Sequence, residues 1–371
     1  MRFLIITNAP TLKENTTYVA YEPYVRELNV WSKHVDDLII LSPTTYHSPL
    51  LTYTFNKQPT IIPVKSLQFN SLSSILTSLI YTPNILFKIF RACQKADHIH
   101  LRCPGNIGLL GCFVQVFFPK KPKTAKYAGN WDPNAKQPLS YKLQKWLLSN
   151  TFLTKNMQVL VYGDWKQQSK NIKPFFTATY SNSEIETSIE RDYSDDLKFV
   201  FVGTLSEGKR PLLAIQIIEA LHKQGKNVFL DVYGEGILKE ALQIYIKENS
   251  LEKIITLHGN QSKNVIKESL KTAHFSILPS KSEGWPKALA EAMFFGAIPI
   301  ATAISCVPYM LDFGNRGLLI EPNLSEAVSS INEALKNSER LKSMSKEASN
   351  WSQHYTLETF ENEIINLLNH K

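Results

Sequence analysis

The chain has 371 residues, 43% hydrophobic and 20% charged, a balance that excludes a disordered or fibrous protein and points to two folded domains of about 100–200 residues each. The net charge of +8 is uneven: residues 1–180 hold 21 Lys/Arg against eight Asp/Glu, net +13, and the remainder is net −5, so the first half should face something anionic. The four cysteines, Cys93, Cys103, Cys112 and Cys306, form no Cys-x-x-Cys pair and have no histidine at zinc spacing. That excludes a zinc ribbon or a disulfide scaffold and fits a reducing, cytoplasmic setting.

The opening MRFLIITNAP has a short apolar run before a polar turn and reads as a buried first strand, not a leader. EPYVRELNVWSKH sets Val25, Leu28 and Trp31 at helical spacing, and DDLIILS is the next strand. From Thr44 to Thr82 the chain is Ser/Thr-rich and no element is assigned. Ser71 to Lys95 is apolar, with Lys88, Arg91 and Lys95 towards its end. It reads either as a buried helix of the first domain or as a helix lying in an anionic membrane surface. DHIHLR is a strand on which His98 and His100 alternate as structural residues, and RCPGNIG ends it and opens a helix, which makes Arg102 a candidate site residue.

Ile107 to Phe118 (IGLLGCFVQVFF) is too short for a span of about 20 residues and reads as a buried helix. Lys120, Lys121, Lys123 and Lys126 read as a solvated face, with a membrane-surface role as the alternative. YAGNWDPN follows a strand. Asn130, Trp131 and Asp132 there could face a ligand, or could form a tight turn around a packed tryptophan. LSYKLQKWLLSN and MQVLVYG complete a strand-helix alternation that implies a parallel sheet covered on both faces.

The polar, acidic stretch from Ser181 to Asp196 has little to bury and reads as an interdomain linker. A second alternating series begins at LKFVFVGTL. The expected division is residues 1–185 as one doubly wound domain, 186–196 as linker, 197–350 as a second doubly wound domain, and 351–371 as a helix packing back on the first domain. Leu357, Phe360, Ile364, Leu367 and Leu368 form the apolar face of that last helix.

The polar loops of the second half each follow a strand, so they should gather along one sheet edge, where doubly wound sheets bind ligands. In GTLSEGKRP, Gly203 bends the chain, and Lys209 and Arg210 precede a helix starting near Pro211. Free amides, helix dipole and two cations make a phosphate site there. In PSKSEGWPKALAEAM, Gly284 permits close backbone approach, Pro286 suits a first helical turn, and Glu283 and Glu291 stand eight residues apart. Two such carboxylates can accept hydrogen bonds from hydroxyls at two ends of one long ligand, such as a hexose and a ribose.

Gly203 with Lys209, Tyr233-Gly234-Glu235-Gly236, His258-Gly259, Ser282 to Pro286, Glu291-Ala292-Met293, Gly296, Pro299 and Thr302 occur in an order and spacing that resembles the retaining nucleotide-sugar glycosyltransferases of family four, or group 1. The resemblance covers roughly Phe199 to Pro322. It implies the α/β GT-B fold, two Rossmann-like doubly wound domains facing a deep cleft. It also implies a retaining transfer of sugar from a nucleoside-diphosphate sugar to a glycan or lipid-linked acceptor in cell-surface polysaccharide assembly. Carried over, Glu283 touches the transferred sugar, Lys209 with Arg210 stabilises the leaving diphosphate, and Glu291 holds the ribose. Gly203, Thr204, Gly284, Trp285, Pro286 and Lys287 line the donor, and Asn130 joins the catalytic group. Trp131, Asp132 and Arg102 stand on the acceptor side.

Thr204 occupies a position where the family often has arginine, and NAPTLKENTTY replaces the family's glycine-rich first loop. No paired-aspartate metal motif occurs in the second half, so the implied chemistry is metal-independent and needs no cofactor, the nucleotide sugar being a substrate. The expected partners are that donor, the acceptor and an anionic membrane surface, with no nucleic acid. The alternatives are a sugar-nucleotide epimerase of the same fold and a non-catalytic partner subunit.

Overall fold

The computed structural model describes residues 1–46, 51–187 and 189–369; the linker and terminal helix expected above each include positions outside these. The chain divides into two compact units, residues 1–176 with 360–371, and residues 177–359.

The first unit is built on β1 (Arg2–Ile6), β4 (Asp37–Pro43), β6 (Thr60–Val64), β7 (His98–Cys103), β8 (Lys123–Tyr127), β9 (Met157–Tyr162) and β10 (Ile172–Phe175). They form one parallel sheet in the order β10-β9-β8-β7-β1-β4-β6. A parallel sheet is buried on both faces, which is why β1 runs Phe3-Leu4-Ile5-Ile6 with every side chain buried. A small antiparallel sheet joins β2 (Leu12–Glu14), β3 (Thr17–Tyr21) and β5 (Thr52–Thr54). The Ser/Thr-rich stretch left unassigned above thus supplies β5, β6 and the start of a helix; residues 47–50 within it lie outside the described residues.

Helices α1 (Glu22–Ser32), α2 (Leu72–Lys95), α3 (Asn106–Val114) and α4 (Leu139–Ser149) connect the strands. One apolar core takes Ile85 and Ile89 from α2, Ile107 and Cys112 from α3 and Leu147 and Leu148 from α4, against Leu4, Leu101 and Val159 of the sheet. These three helices therefore share one sheet face, as right-handed crossovers stepping in one direction require. The run from Ile107 to Phe118 is two-faced: Cys112 and Val114 are buried, but Phe113 and Phe117 are exposed, so the buried helix expected there also has an outward apolar face.

The lysine cluster also differs from the solvated face expected. Lys123 is buried and donates to the carbonyls of Gln115 (3.2 Å) and Phe118 (3.1 Å). Lys121 donates to the carbonyls of Gln94 and Ala96 where α2 ends. Lys126 is buried against Glu27 of α1, 2.8 Å away. Only Lys120 of the four is open to solvent. Lys123 and Lys126 lie on opposite faces of β8, which is buried on both, and carbonyls and a carboxylate there satisfy their ammonium groups.

The second unit has β11 (Leu197–Val202), β12 (Val228–Tyr233), β13 (Ile255–Gly259), β14 (Phe275–Leu278), β15 (Ile298–Thr302) and β16 (Leu318–Ile320), all parallel, in the order β13-β12-β11-β14-β15-β16. Helices α5 (Pro211–Lys223), α6 (Lys239–Glu248), α7 (Lys263–Thr272), α8 (Lys287–Phe294) and α9 (Val307–Met310) alternate with the strands, and α10 (Leu324–Leu335) and α11 (Ser338–Ser352) follow. The polar stretch before β11 belongs to this unit. Its Arg191 is buried and donates to the carbonyls of Ala273 (2.6 Å), Lys271 (3.0 Å) and Phe295 (2.7 Å), beside the buried Tyr193.

Helix α12 (Leu357–Asn369) ends the described chain. From Phe360 onward it belongs to the first unit. There Phe360 packs on Phe175 and Phe176, and Glu361 accepts from Lys33 at 2.8 Å.

Candidate functional site

In the second unit the loops leaving the carboxyl ends of the strands are tied side by side by backbone hydrogen bonds. Gly203 donates to Tyr233, Leu205 to Glu235, Gly234 to Gly259 and Lys281 to Gly208, at 2.8–3.0 Å. The Gly234-Glu235-Gly236 motif owes its glycines to this crowding. Gly234 has φ +145°, and a Cβ on it would sit 1.9 Å from the carbonyl oxygen of Gly203; one on Gly236 would sit 2.3 Å from that of Leu205. Backbone, and no side chain, fits between these loops.

This edge brings Lys209 and Glu283 together. The Lys209 ammonium donates to Glu283 Oε1 at 2.5 Å; the carboxylate is nearly enclosed and the lysine partly open. Glu283 is fixed from behind by its own amide, which donates to Ser305 Oγ at 3.3 Å, and by Cys306, whose thiol donates to the Gly284 carbonyl at 2.9 Å. Burial beside Glu283 pushes the Cys306 thiol up to about 12, so it stays neutral. Thr302, at the end of β15, donates to the Ser280 carbonyl at 2.5 Å. The loop that carries Glu283 is thus braced by β15 and the residues after it.

Arg210, in the left-handed region at φ +50°, opens α5. Its Nη1 donates to the carbonyls of Pro279 (3.3 Å) and Ser280 (3.4 Å), so its side chain braces the Glu283 loop as well as adding charge. Thr204, at the family's arginine position, is exposed.

The side chain of Trp285, expected among the donor-lining residues of this turn, points into the unit. It is buried, stacked on Trp351 with centroids 6.1 Å apart and edge-on to Tyr355 at 5.8 Å. What it offers a ligand is main chain. Pro286 caps α8, which begins at Lys287, and Glu291 lies one turn beyond Lys287. Thr179 Oγ1 donates to Glu291 Oε1 at 2.7 Å. Burial raises the Glu291 carboxyl, opposed by the Thr179 hydrogen bond and by the charges of Lys287 and Lys263. Glu291, Lys287, Thr179 and Tyr180 line a small cavity. Thr179 and Ser305 were not foreseen. Thr179 stands 112 residues before its partner in a segment without a motif, and no local pattern marks either residue.

The first-unit candidates do not gather into a site. Arg102 is nearly enclosed and paired through Nη1 with Glu27, which also holds Lys126. Its charge is spent inside the unit, and the acceptor role expected of it is withdrawn. Trp131 belongs to the core, edge-on to Tyr127 at 4.9 Å, with its indole N–H donating to Gln168 at 3.1 Å; the packed-tryptophan reading holds. Asn130 Oδ1 accepts from the Asp132 amide and Asp132 Oδ1 from the Asn134 amide, each at 2.8 Å. These are two successive turns in which both side chains serve the backbone. His98 and His100 are buried and share Thr124 Oγ1 at 2.9 and 2.8 Å.

Residues 182–351 match the family of group 1 glycosyl transferases, so the second unit is a domain of that family. Over 138 residues the chain is 30% identical to the putative colanic acid biosynthesis glycosyltransferase WcaL of Salmonella typhimurium, covering 36% of this chain and 34% of that protein. Over 141 residues it is 29% identical to the amylovoran biosynthesis glycosyltransferase AmsK of Erwinia amylovora, covering 36% and 35%. The matched region spans about a third of the length of these curated relatives. Among solved structures, HepE of Anabaena in complex with UDP and glucose superposes over 100% of both chains with a TM-score of 0.67 at 13% identity. The lipopolysaccharide outer core galactosyltransferase WaaB covers 99% of both at 0.66 and 15%. The fold is the GT-B type, with two Rossmann-like units.

Proposed function

We propose that the chain is a retaining glycosyltransferase that moves a sugar from a nucleoside-diphosphate sugar to a glycan or lipid-linked acceptor in polysaccharide biosynthesis. The observation that carries this reading is the Lys209–Glu283 pair at the carboxyl edge of the second sheet, with Glu291 on the helix that follows. A nucleotide sugar separates the two: its diphosphate takes the Lys209 ammonium and its sugar hydroxyls take the Glu283 carboxylate. Each group holds the other's place in the free protein and keeps a buried charge compensated. Glu291, already accepting one hydroxyl from Thr179, has the chemistry to accept those of a ribose.

As the glycosidic bond breaks, negative charge grows on the departing diphosphate. Lys209, held at the start of α5, meets it with a fixed cation and a helix N-terminus. The reaction is read as metal-independent on that ground. The colanic acid and amylovoran relatives and the UDP-bound neighbour support the substrate class. The reading places the work at the cytoplasmic side of a membrane.

The test is release of nucleoside diphosphate from UDP-, GDP- and ADP-sugars presented with candidate acceptors, with and without excess EDTA. Acceptor-dependent release that survives EDTA is the expected result. Free epimerised nucleotide sugar without an acceptor identifies the epimerase instead. Failure to bind any of these nucleotides identifies a non-catalytic subunit. Loss of turnover in EDTA, restored by magnesium, overturns the metal-independent reading.

A further inference from the structure

We infer that the outer face of α2, α3 and α4 in the first unit is a docking surface for an anionic lipid bilayer. Helix α2 has two apolar faces. One carries Ile85, Ile89, Ala92 and Cys93 into the core. The other carries Leu72, Leu76, Leu79, Ile80 and Phe87, which are exposed, Leu72 at 82% and Ile80 at 75%. These positions recur at intervals of four, three, one and seven residues, a single stripe at 3.6 residues per turn, opposite the buried face. A core helix of a water-exposed domain has no use for the second stripe.

The neighbouring elements repeat the pattern. Phe117 is exposed beside Phe90 of α2, with centroids 6.3 Å apart. On α4, Leu139, Leu143 and Trp146 are exposed at i, i+4 and i+7. All three helices pack on the same sheet face, so their outward stripes share one side of the unit. An apolar surface of this extent needs an occupant.

Charge identifies the occupant. Between residues 66 and 156 there are 12 Lys/Arg and two acids, Asp97 and Asp132, and none of α2, α3 or α4 contains an acidic residue. Asp97 is taken by Arg2 at 2.8 Å. Arg91, Lys95, Lys120, Lys142 and Lys155 are exposed around the apolar stripes. Apolar side chains bordered by cations alone match a surface with a hydrocarbon interior and anionic headgroups. A second copy of this chain meeting it through the same face would set cations against cations.

Helix α2 is long and apolar enough to cross a membrane by length and composition, but its Ile85–Cys93 face is committed to the core. It therefore lies along the surface, with its outer stripe in the headgroup region.

The experiment is flotation of the purified chain with vesicles of phosphatidylcholine alone or mixed with phosphatidylglycerol, at low and high salt. No sugar donor or acceptor is needed, so the outcome is independent of the transferase reading. The wild type should float with the anionic vesicles and be released by salt. Leu76→Asp with Ile80→Asp should cut the partition by about tenfold or more, and Arg91→Glu with Lys142→Glu should cut it and flatten its salt dependence. All four residues are exposed, so both variants should keep the wild-type melting temperature and UDP affinity. Equal binding to neutral and anionic vesicles, or no loss in the Leu76→Asp/Ile80→Asp variant, overturns the proposal. So does a concentration-dependent dimer that this variant abolishes without any vesicle binding, which would make the face a contact between copies.

Discussion

The Lys209 ammonium lies 2.5 Å from the Glu283 carboxylate, joining the loop after β11 to the loop after β14 across 74 residues. Lys209→Met should lower turnover by about a hundredfold or more, the cost of removing one preorganised charge from a developing oxyanion. It should also cost about 1–3 kcal/mol of stability, because the enclosed Glu283 loses its cation. Glu283→Gln should reduce turnover more than UDP affinity, since it acts at the sugar. Steady-state kinetics and denaturant titration read both effects; wild-type turnover in Lys209→Met would sink the assignment.

Glu291→Ala should weaken nucleoside diphosphate binding by about tenfold or more, at roughly 1.5–3 kcal/mol for a charged hydrogen-bond partner. Thr179→Val removes only the hydroxyl that orients the carboxylate, so its effect should be smaller and in the same direction. Calorimetric titration with UDP and GDP measures both. Unchanged affinity in Glu291→Ala would mean the ribose is held elsewhere.

The gathering of the second-unit loops along one sheet edge was legible because its signals are local. Each loop follows an apolar strand, and Lys209, Glu283 and Glu291 stand in short motifs read together with the strand that precedes them. What was illegible depends on partners far away in sequence. Arg102 and Lys126 looked available to a ligand until Glu27, 75 and 99 residues earlier, was seen to take both. The charge excess of the first half was real, yet its inward-turned lysines could not be told from its exposed ones. The strand running through Lys123 and Lys126 is buried on both faces, and periodicity alone does not show which carbonyls wait there. The two stripes of α2 were legible only as general apolarity, because its outward side chains follow the same rule as its inward ones.

The corrected lysines give opposite expectations for neighbouring residues. Lys123→Glu puts a carboxylate against the carbonyls of Gln115 and Phe118 and should abolish folding or lower stability by more than about 3 kcal/mol. Lys123→Met leaves those carbonyls unpaired and should cost about 2–4 kcal/mol. Lys120→Glu, at an exposed site, should change stability by less than about 0.5 kcal/mol. Urea denaturation of the three variants decides it. A neutral Lys123→Glu would mean the strand is not buried as described.

Gly234→Ala tests whether the ligand edge depends on backbone crowding. The added Cβ meets the Gly203 carbonyl oxygen at 1.9 Å, at a φ of +145° that other residues avoid. The Gly203 loop must move, and it leads to Lys209. The variant should lose roughly 1–3 kcal/mol from backbone strain alone and show weaker diphosphate binding. Gly225→Ala is the control: its φ is +83° but nothing lies within 4 Å of the new Cβ, so it should lose stability without losing affinity. Equal loss of UDP affinity in both variants would separate the Gly234 contact from the site.

Stability should fall in mild acid because of two histidines away from the second-unit site. Burial holds His98 down to about 4, and His100 is held well below its usual range by burial, then by the charge of Arg102. In the unfolded chain both titrate near 6.5. Above that pH neither state binds these protons, and their contribution to stability is complete. As pH drops from about 6.5 towards 4, the unfolded chain takes up protons that the native state refuses, so the folding free energy declines. For His98 the gap corresponds to roughly 3 kcal/mol. Urea unfolding at several pH values between 7.5 and 4.5 should show this slope in the wild type. His98→Gln, which can still meet Thr124 Oγ1, should show a shallower slope between pH 6.5 and 5 despite lower stability at neutral pH. Parallel slopes in the two proteins would show that His98 is protonated inside the folded unit and that the acid sensitivity arises from other groups.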